Sequence, residues 1–106
     1  MNTAPVVDLG VRETAIVREI LKVHLPGSAV VNVVGSRATG RAKPYSDIDL
    51  LVDVGRPLSP DEDRALRFAF EDSDLPYKVD IVDRHSISQE FRNAIERGPM
   101  PKLDLN

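Results

Sequence analysis

Strands alternating with helices predict an α/β domain, a small sheet of about three strands flanked by about four helices. Two kinds of observation predict it. Short β-branched or apolar runs recur at residues 29–34, 47–54 and 77–82, and stretches with helical apolar spacing lie before, between and after them. Pro and Gly punctuate the junctions.

The first helix is expected over residues 9–25. Val17, Ile20 and Leu21 fall at i, i+3 and i+4, Ile16 and Val23 widen the stripe, and Pro26-Gly27 stops it. Residues 29–34 are apolar apart from Asn32, which suits a buried strand ending at Gly35-Ser36. Residues 37–46 form a polar, basic connection, a loop or short helix, broken by Gly40 and Pro44. In the strand at 47–54, Ile48, Leu50 and Val52 point one way and Asp47, Asp49 and Leu51 the other. Gly55-Arg56-Pro57 turns the chain, and Ser59-Pro60-Asp61-Glu62 is a helix start with a capping serine, Pro at the first position and Glu at the third. That helix, over 60–73, gains its apolar face from Leu66, Ala69 and Phe70, and its many charges read as a solvated face. Residues 77–82 are the third strand. Ser86 and Gln89 offer a further capping pair, before a stripe of Ile87, Phe91, Ala94 and Ile95 that runs to Gly98-Pro99. Residues 1–8 and 99–106 read as loose ends around one domain.

Composition narrows the function classes. At 106 residues there is room for one modest core, and with 5% aromatics it must rest on Val, Ile, Leu and Ala. The absence of cysteine excludes disulfides, thiolate metal sites and cysteine nucleophiles, and suits a reducing cytoplasm. No run approaches the roughly 18 apolar residues that span a bilayer. The N-terminus, with Asp8 and no basic start, does not resemble a signal peptide. A net charge of −3 argues against direct nucleic-acid binding but leaves room for a small phosphate-bearing ligand.

Three groups of residues carry chemistry. Asp47 and Asp49 sit two apart in an apolar strand, so their carboxylates share a face. Anions so close repel and raise a pKa unless neutralised, and Mg²⁺, which prefers oxygen donors, does this well. The pair alone also suits a solvated strand end. Asp80, between Val79 and Ile81, completes a three-carboxylate cluster if its strand neighbours the second; otherwise it is an outward-facing acid, as Asp83 is expected to be unless it caps the next helix. Gly35-Ser36 ends a strand, where close backbone approach, amides and a hydroxyl suit a phosphate. Arg37, Arg41 and Lys43 follow it. Cations beside acids are what a metal–triphosphate site needs. His24, His85, Tyr45 and Tyr77 read as packing or turn residues.

The stretch Gly35-Ser36-Arg37-Ala38, then Gly40, Ala42 and Ser46-Asp47-Ile48-Asp49-Leu50, resembles the signature of the DNA polymerase beta-like nucleotidyltransferase superfamily. It is most similar to the minimal nucleotidyltransferase (MNT) branch, and the similarity extends to Leu25-Pro26-Gly27, the strand around Asp80 and the Phe91–Glu96 stretch. The resemblance implies a nucleotidyltransferase fold with a small mixed sheet. It implies two Mg²⁺ ions held by Asp47, Asp49 and Asp80, and ATP phosphates held by Gly35 and Ser36, with Arg37 a further contact. It further implies a cytoplasmic antitoxin that forms a hetero- or homo-oligomer and transfers AMP to a tyrosine of a HEPN-domain ribonuclease toxin. Rival readings are an antitoxin that masks its toxin without catalysis, a small-molecule nucleotidyltransferase and an idle metal-binding domain. A chain this short has no room for a separate acceptor domain, so the acceptor side must come from a partner or a second copy.

Overall fold

The structure, a computed structural model, describes residues 9–39 and 47–105, with the backbone alone at Ser36 and Thr39. The expectations for Gly40, Arg41, Ala42, Lys43, Pro44, Tyr45 and Ser46, and for residues 1–8, lie outside the described residues. The order is α1 (Val11–His24), β1 (Val30–Val34), α2 (Ser36–Thr39), β2 (Ile48–Asp53), α3 (Pro60–Glu71), β3 (Val79–Asp83) and α4 (Gln89–Glu96). This is the expected α/β arrangement of three strands and four helical segments, one of them a single turn.

The sheet is mixed, in the order β1-β2-β3: β1 pairs antiparallel with β2, and β2 parallel with β3. Alternation along β2 buries Ile48, Leu50 and Val52 completely. With Val31, Val33 and Ile81 they form one core with Val17 and Leu21 of α1 and Leu66 and Phe70 of α3. Val23, expected on the apolar stripe of α1, instead faces solvent, 68% exposed. At helical spacing it falls outside the arc of Val17 and Leu21.

The capping box of α3 forms as its sequence predicts. The Ser59 hydroxyl accepts from the Glu62 amide at 3.1 Å, and the Glu62 carboxylate accepts from the Ser59 amide at 2.9 Å. Arg56, 2.7 Å away, and that backbone bond push the Glu62 carboxyl down to about 2. Ser59→Ala is expected to lower stability by about 1 kcal/mol, the usual value of such a cap. Urea unfolding would read this as a lower midpoint at unchanged slope.

Further expectations are corrected. Ser88, not Ser86, caps α4, accepting from the Phe91 amide at 3.1 Å. Ser86 is taken up in the turn after β3, where its hydroxyl donates to Asp83 at 2.9 Å. Asp83 thus organises this turn rather than capping α4. The apolar stripe of α4 is not buried either: Phe91 is 50% exposed.

A further correction concerns the expected loose end at 99–106. Residues 100–105 join the fold along the free edge of β1. The Val33 amide donates to Pro101, the Leu103 amide donates to Val31 at 2.8 Å, and the Asn32 side chain donates to the Met100 carbonyl. Leu103 enters the core at 4% exposure. Pro99 and Pro101 mark an approach to an edge strand, where Pro is tolerated, rather than fraying.

Candidate active site

β1 ends at Val34, which lies opposite Asp49 in the antiparallel register. The chain then turns at Gly35, whose φ of +76° is in the region that favours glycine, and starts α2 at Ser36. A Cβ built on Gly35 would lie 2.5 Å from Asp49 Oδ2. The Asp49 carboxylate therefore rests against the bare α-carbon, and glycine is required there by both backbone and space.

On the other side of β2, Asp49 pairs in register with Asp80. Strand alternation places both on the face away from α1 and α3. The condition set by the sequence, neighbouring strands, is met, and the two half-buried acids lie side by side about one strand spacing apart, ~4.8 Å. Asp47 is exposed just before β2, where the Ile48 amide donates to the Lys78 carbonyl at 2.9 Å. Burial first, then the charges of Asp80 and Asp47 and a side-chain hydrogen bond with Asp80, push the Asp49 carboxyl above its ordinary range.

Does this arrangement fit Mg²⁺? Every candidate donor is a carboxylate oxygen, the hard donor that Mg²⁺ prefers, and burial with the charges of Asp80 and Asp47 raises the Asp49 carboxyl, which a bound cation would offset. Among the described residues no three acidic or histidine side chains are already arranged to hold an ion by themselves.

Arg37, on α2, is 6% exposed, and its guanidinium stacks 4.2 Å from the centroid of the Tyr77 ring. The sequence presents Arg37 as a cation of the phosphate loop and does not reveal this burial. The side chain of Ser36, with Arg41 and Lys43, lies outside what the structure describes.

A second polar cluster occupies the far end of β2, four residues or about 13 Å from Asp49. His85 Nε2 is 2.6 Å from Asp53 Oδ1, and Arg84 bridges Asp53 at 3.8 Å and Glu96 of α4 at 3.3 Å. The Gly55 amide, then His85, hold the Asp53 carboxyl below its usual range. His85 also donates its backbone amide to Asp83, so it serves the turn, as its position after a strand suggests. The Asp53-x-Gly55 turn was the sequence signal for this cluster.

Residues 15–104 match the nucleotidyltransferase domain family. The chain belongs to that family and is a nucleotidyltransferase. "Probable protein adenylyltransferase MntA" of Haemophilus influenzae is 38% identical over 97 residues, which are 92% of this chain and 84% of that protein. A solved chain described as "Crystal structure of the toxin-antitoxin with AMP-PNP" matches with a TM-score of 0.71. The match covers 88% of this chain and 73% of that one, and at 22% identity it shows a shared fold. No described helix is long and apolar enough to cross a membrane.

Proposed function

We propose that this chain is a single-domain, Mg²⁺-dependent protein adenylyltransferase that acts as a cytoplasmic antitoxin, moving AMP from ATP to a tyrosine of a HEPN ribonuclease toxin. The observation that carries the reading is the register pair Asp49–Asp80 against Gly35. Two acids are held together, half-buried, in a fold that gains nothing from their repulsion; perturbed carboxyls of this kind mark functional sites. The 38% identity to a protein adenylyltransferase supports the choice of AMP and of a protein acceptor.

In this reading Asp47, Asp49 and Asp80 would hold Mg²⁺, which would supply positive charge to the phosphates. The Gly35 and Ser36 amides, at the turn into α2, bind the β- and γ-phosphates. Asp80 orients the tyrosine hydroxyl and helps take its proton. The phenol oxygen forms a bond to the α-phosphorus in line with the breaking bond to the β-phosphate, and pyrophosphate leaves. Arg37 adds positive charge behind the phosphates and is fixed by its stack on Tyr77.

The test is intact-mass spectrometry of the protein encoded by the neighbouring gene, after incubation with the chain, ATP and Mg²⁺. A gain of whole AMP units, absent with an Asp47→Ala, Asp49→Ala variant, is expected. A stable, inactive toxin complex with no mass gain would leave neutralisation by masking alone.

A further inference from the structure

We propose that Tyr77 is a positioning residue of the nucleotide site: its ring holds the buried Arg37 guanidinium, and through it sets the orientation of α2 and of the amides at its start. This rests on the proposed adenylyl transfer and adds to it a residue from outside the glycine turn and the acid cluster.

A helix of four residues has little stability of its own, because a first turn fixes several backbone torsions for one hydrogen bond. The orientation of α2 is therefore set by what holds it from outside. It packs against β1 and β2. Of its described side chains, Ala38 enters the core and Arg37 reaches the Tyr77 ring, 4.2 Å from its centroid. The anchor at the other end is firm. Tyr77 packs on the core, and the carbonyl of the next residue, Lys78, accepts from the Ile48 amide at 2.9 Å, between Asp47 and Asp49. The stack thus ties the helix after the glycine turn to the approach of β3, the strand that carries Asp80.

The burial of Arg37 decides how it acts. At 6% exposure it has little surface left for a phosphate, and reaching one would mean leaving a desolvated stack, the setting in which a cation gains most from a ring face. A guanidinium so placed works as a strap. An aliphatic side chain at position 77 would fill space but offer no negative face, and the buried charge would draw α2 outward to regain water.

The experiment measures binding of α,β-methylene-ATP, whose bridge at the reacting bond blocks AMP transfer, to the full chain with Mg²⁺ by isothermal titration calorimetry. Melting of the nucleotide-free protein is read alongside. Tyr77→Phe keeps the ring face and is expected to bind within about threefold of the parent, whereas Tyr77→Leu is expected to bind about tenfold more weakly. Arg37→Met cuts the strap at its other end and is expected to lose about as much. The double variant is expected to lose no more than either single one, as befits two residues that act as one. A residue that only fills the core would lower the melting temperature of Tyr77→Leu and leave the affinity of the folded protein unchanged, and that result would overturn the proposal. So would Tyr77→Phe binding as weakly as Tyr77→Leu. A loss in Arg37→Met much larger than in Tyr77→Leu, and additive with it, would make Arg37 a phosphate ligand in its own right and overturn the strap. Should Tyr77→Leu fail to fold, Tyr77→Met and Arg37→Met carry the same comparison. A parent chain that does not bind the nucleotide at all would sink the adenylyl-transfer reading, whereas binding that ignores the ring would sink the positioning role alone.

Discussion

Replacing Asp49 with asparagine is expected to lower nucleotidyl transfer by about three orders of magnitude, roughly 4 kcal/mol, the scale for losing a preorganised group aimed at developing charge. The same change is expected to stabilise the metal-free protein at neutral pH. Burial, with the charges of Asp80 and Asp47, raises the Asp49 carboxyl above its ordinary 3.8. For a carboxyl raised in the fold, the contribution to stability is fully present below the unfolded value and is lost as pH rises through the folded value. At pH 7 the ionised Asp49 therefore opposes folding, and an amide of the same shape removes that opposition. Melting in EDTA should show the variant above the parent at pH 7, with the gap closing as pH falls through the raised value and gone below about 4. A variant melting below its parent at pH 7 would mean that the carboxylate holds the fold together, and its place as a functional acid would be lost.

Gly35→Ala should damage the site by a different route. The backbone there has φ +76°, which costs a non-glycine residue about 1–3 kcal/mol. The added methyl would also meet Asp49 Oδ2 at 2.5 Å and push the carboxylate aside. A displacement of about 1 Å in a catalytic group costs on the order of a hundredfold in rate. Gly55 provides the internal control, because its φ is +82° but nothing lies within 4 Å of a Cβ built there. Gly55→Ala is therefore expected to lose similar stability and to keep its transfer rate. Denaturant unfolding and AMP-transfer assays on the two variants separate strain from displacement. Equal rates for both would show that Gly35 is needed for the turn and not for the position of Asp49.

The contrast between what the sequence disclosed and what it withheld follows the range of the forces involved. Local signals were legible. The β-branched runs became β1, β2 and β3, and Ser59 with Glu62 formed the box that starts α3. Gly35 lay where the Asp49 carboxylate closes on the backbone. The pairing of Asp49 with Asp80 was legible only as a condition, since the order of strands is set by packing of the intervening helix. Contacts between distant segments were not legible. Nothing near Lys102 announces Asn32 as its partner across the β1 edge, and two prolines point toward fraying. Arg37 reads as a cation of the phosphate loop, and its burial is hidden because it depends on Tyr77, forty residues later. Nor does the amphipathic spacing of α4 tell that Phe91 stays half exposed, since a stripe states what could be buried and not what covers it.

The attachment of residues 100–105 to β1 bears on how the protein is made. Synthesis runs from the N-terminus, so β1 leaves the ribosome some seventy residues before the segment that completes its edge. During that interval Val33 has no carbonyl for its amide, Val31 no donor, and the core lacks Leu103. The nascent chain can collapse around β2 and α3, yet it carries a bare strand edge of the kind that invites pairing with other chains. Completion of the sheet is thus deferred until late in translation, and interruption of synthesis before Pro101 would release a product unable to finish folding.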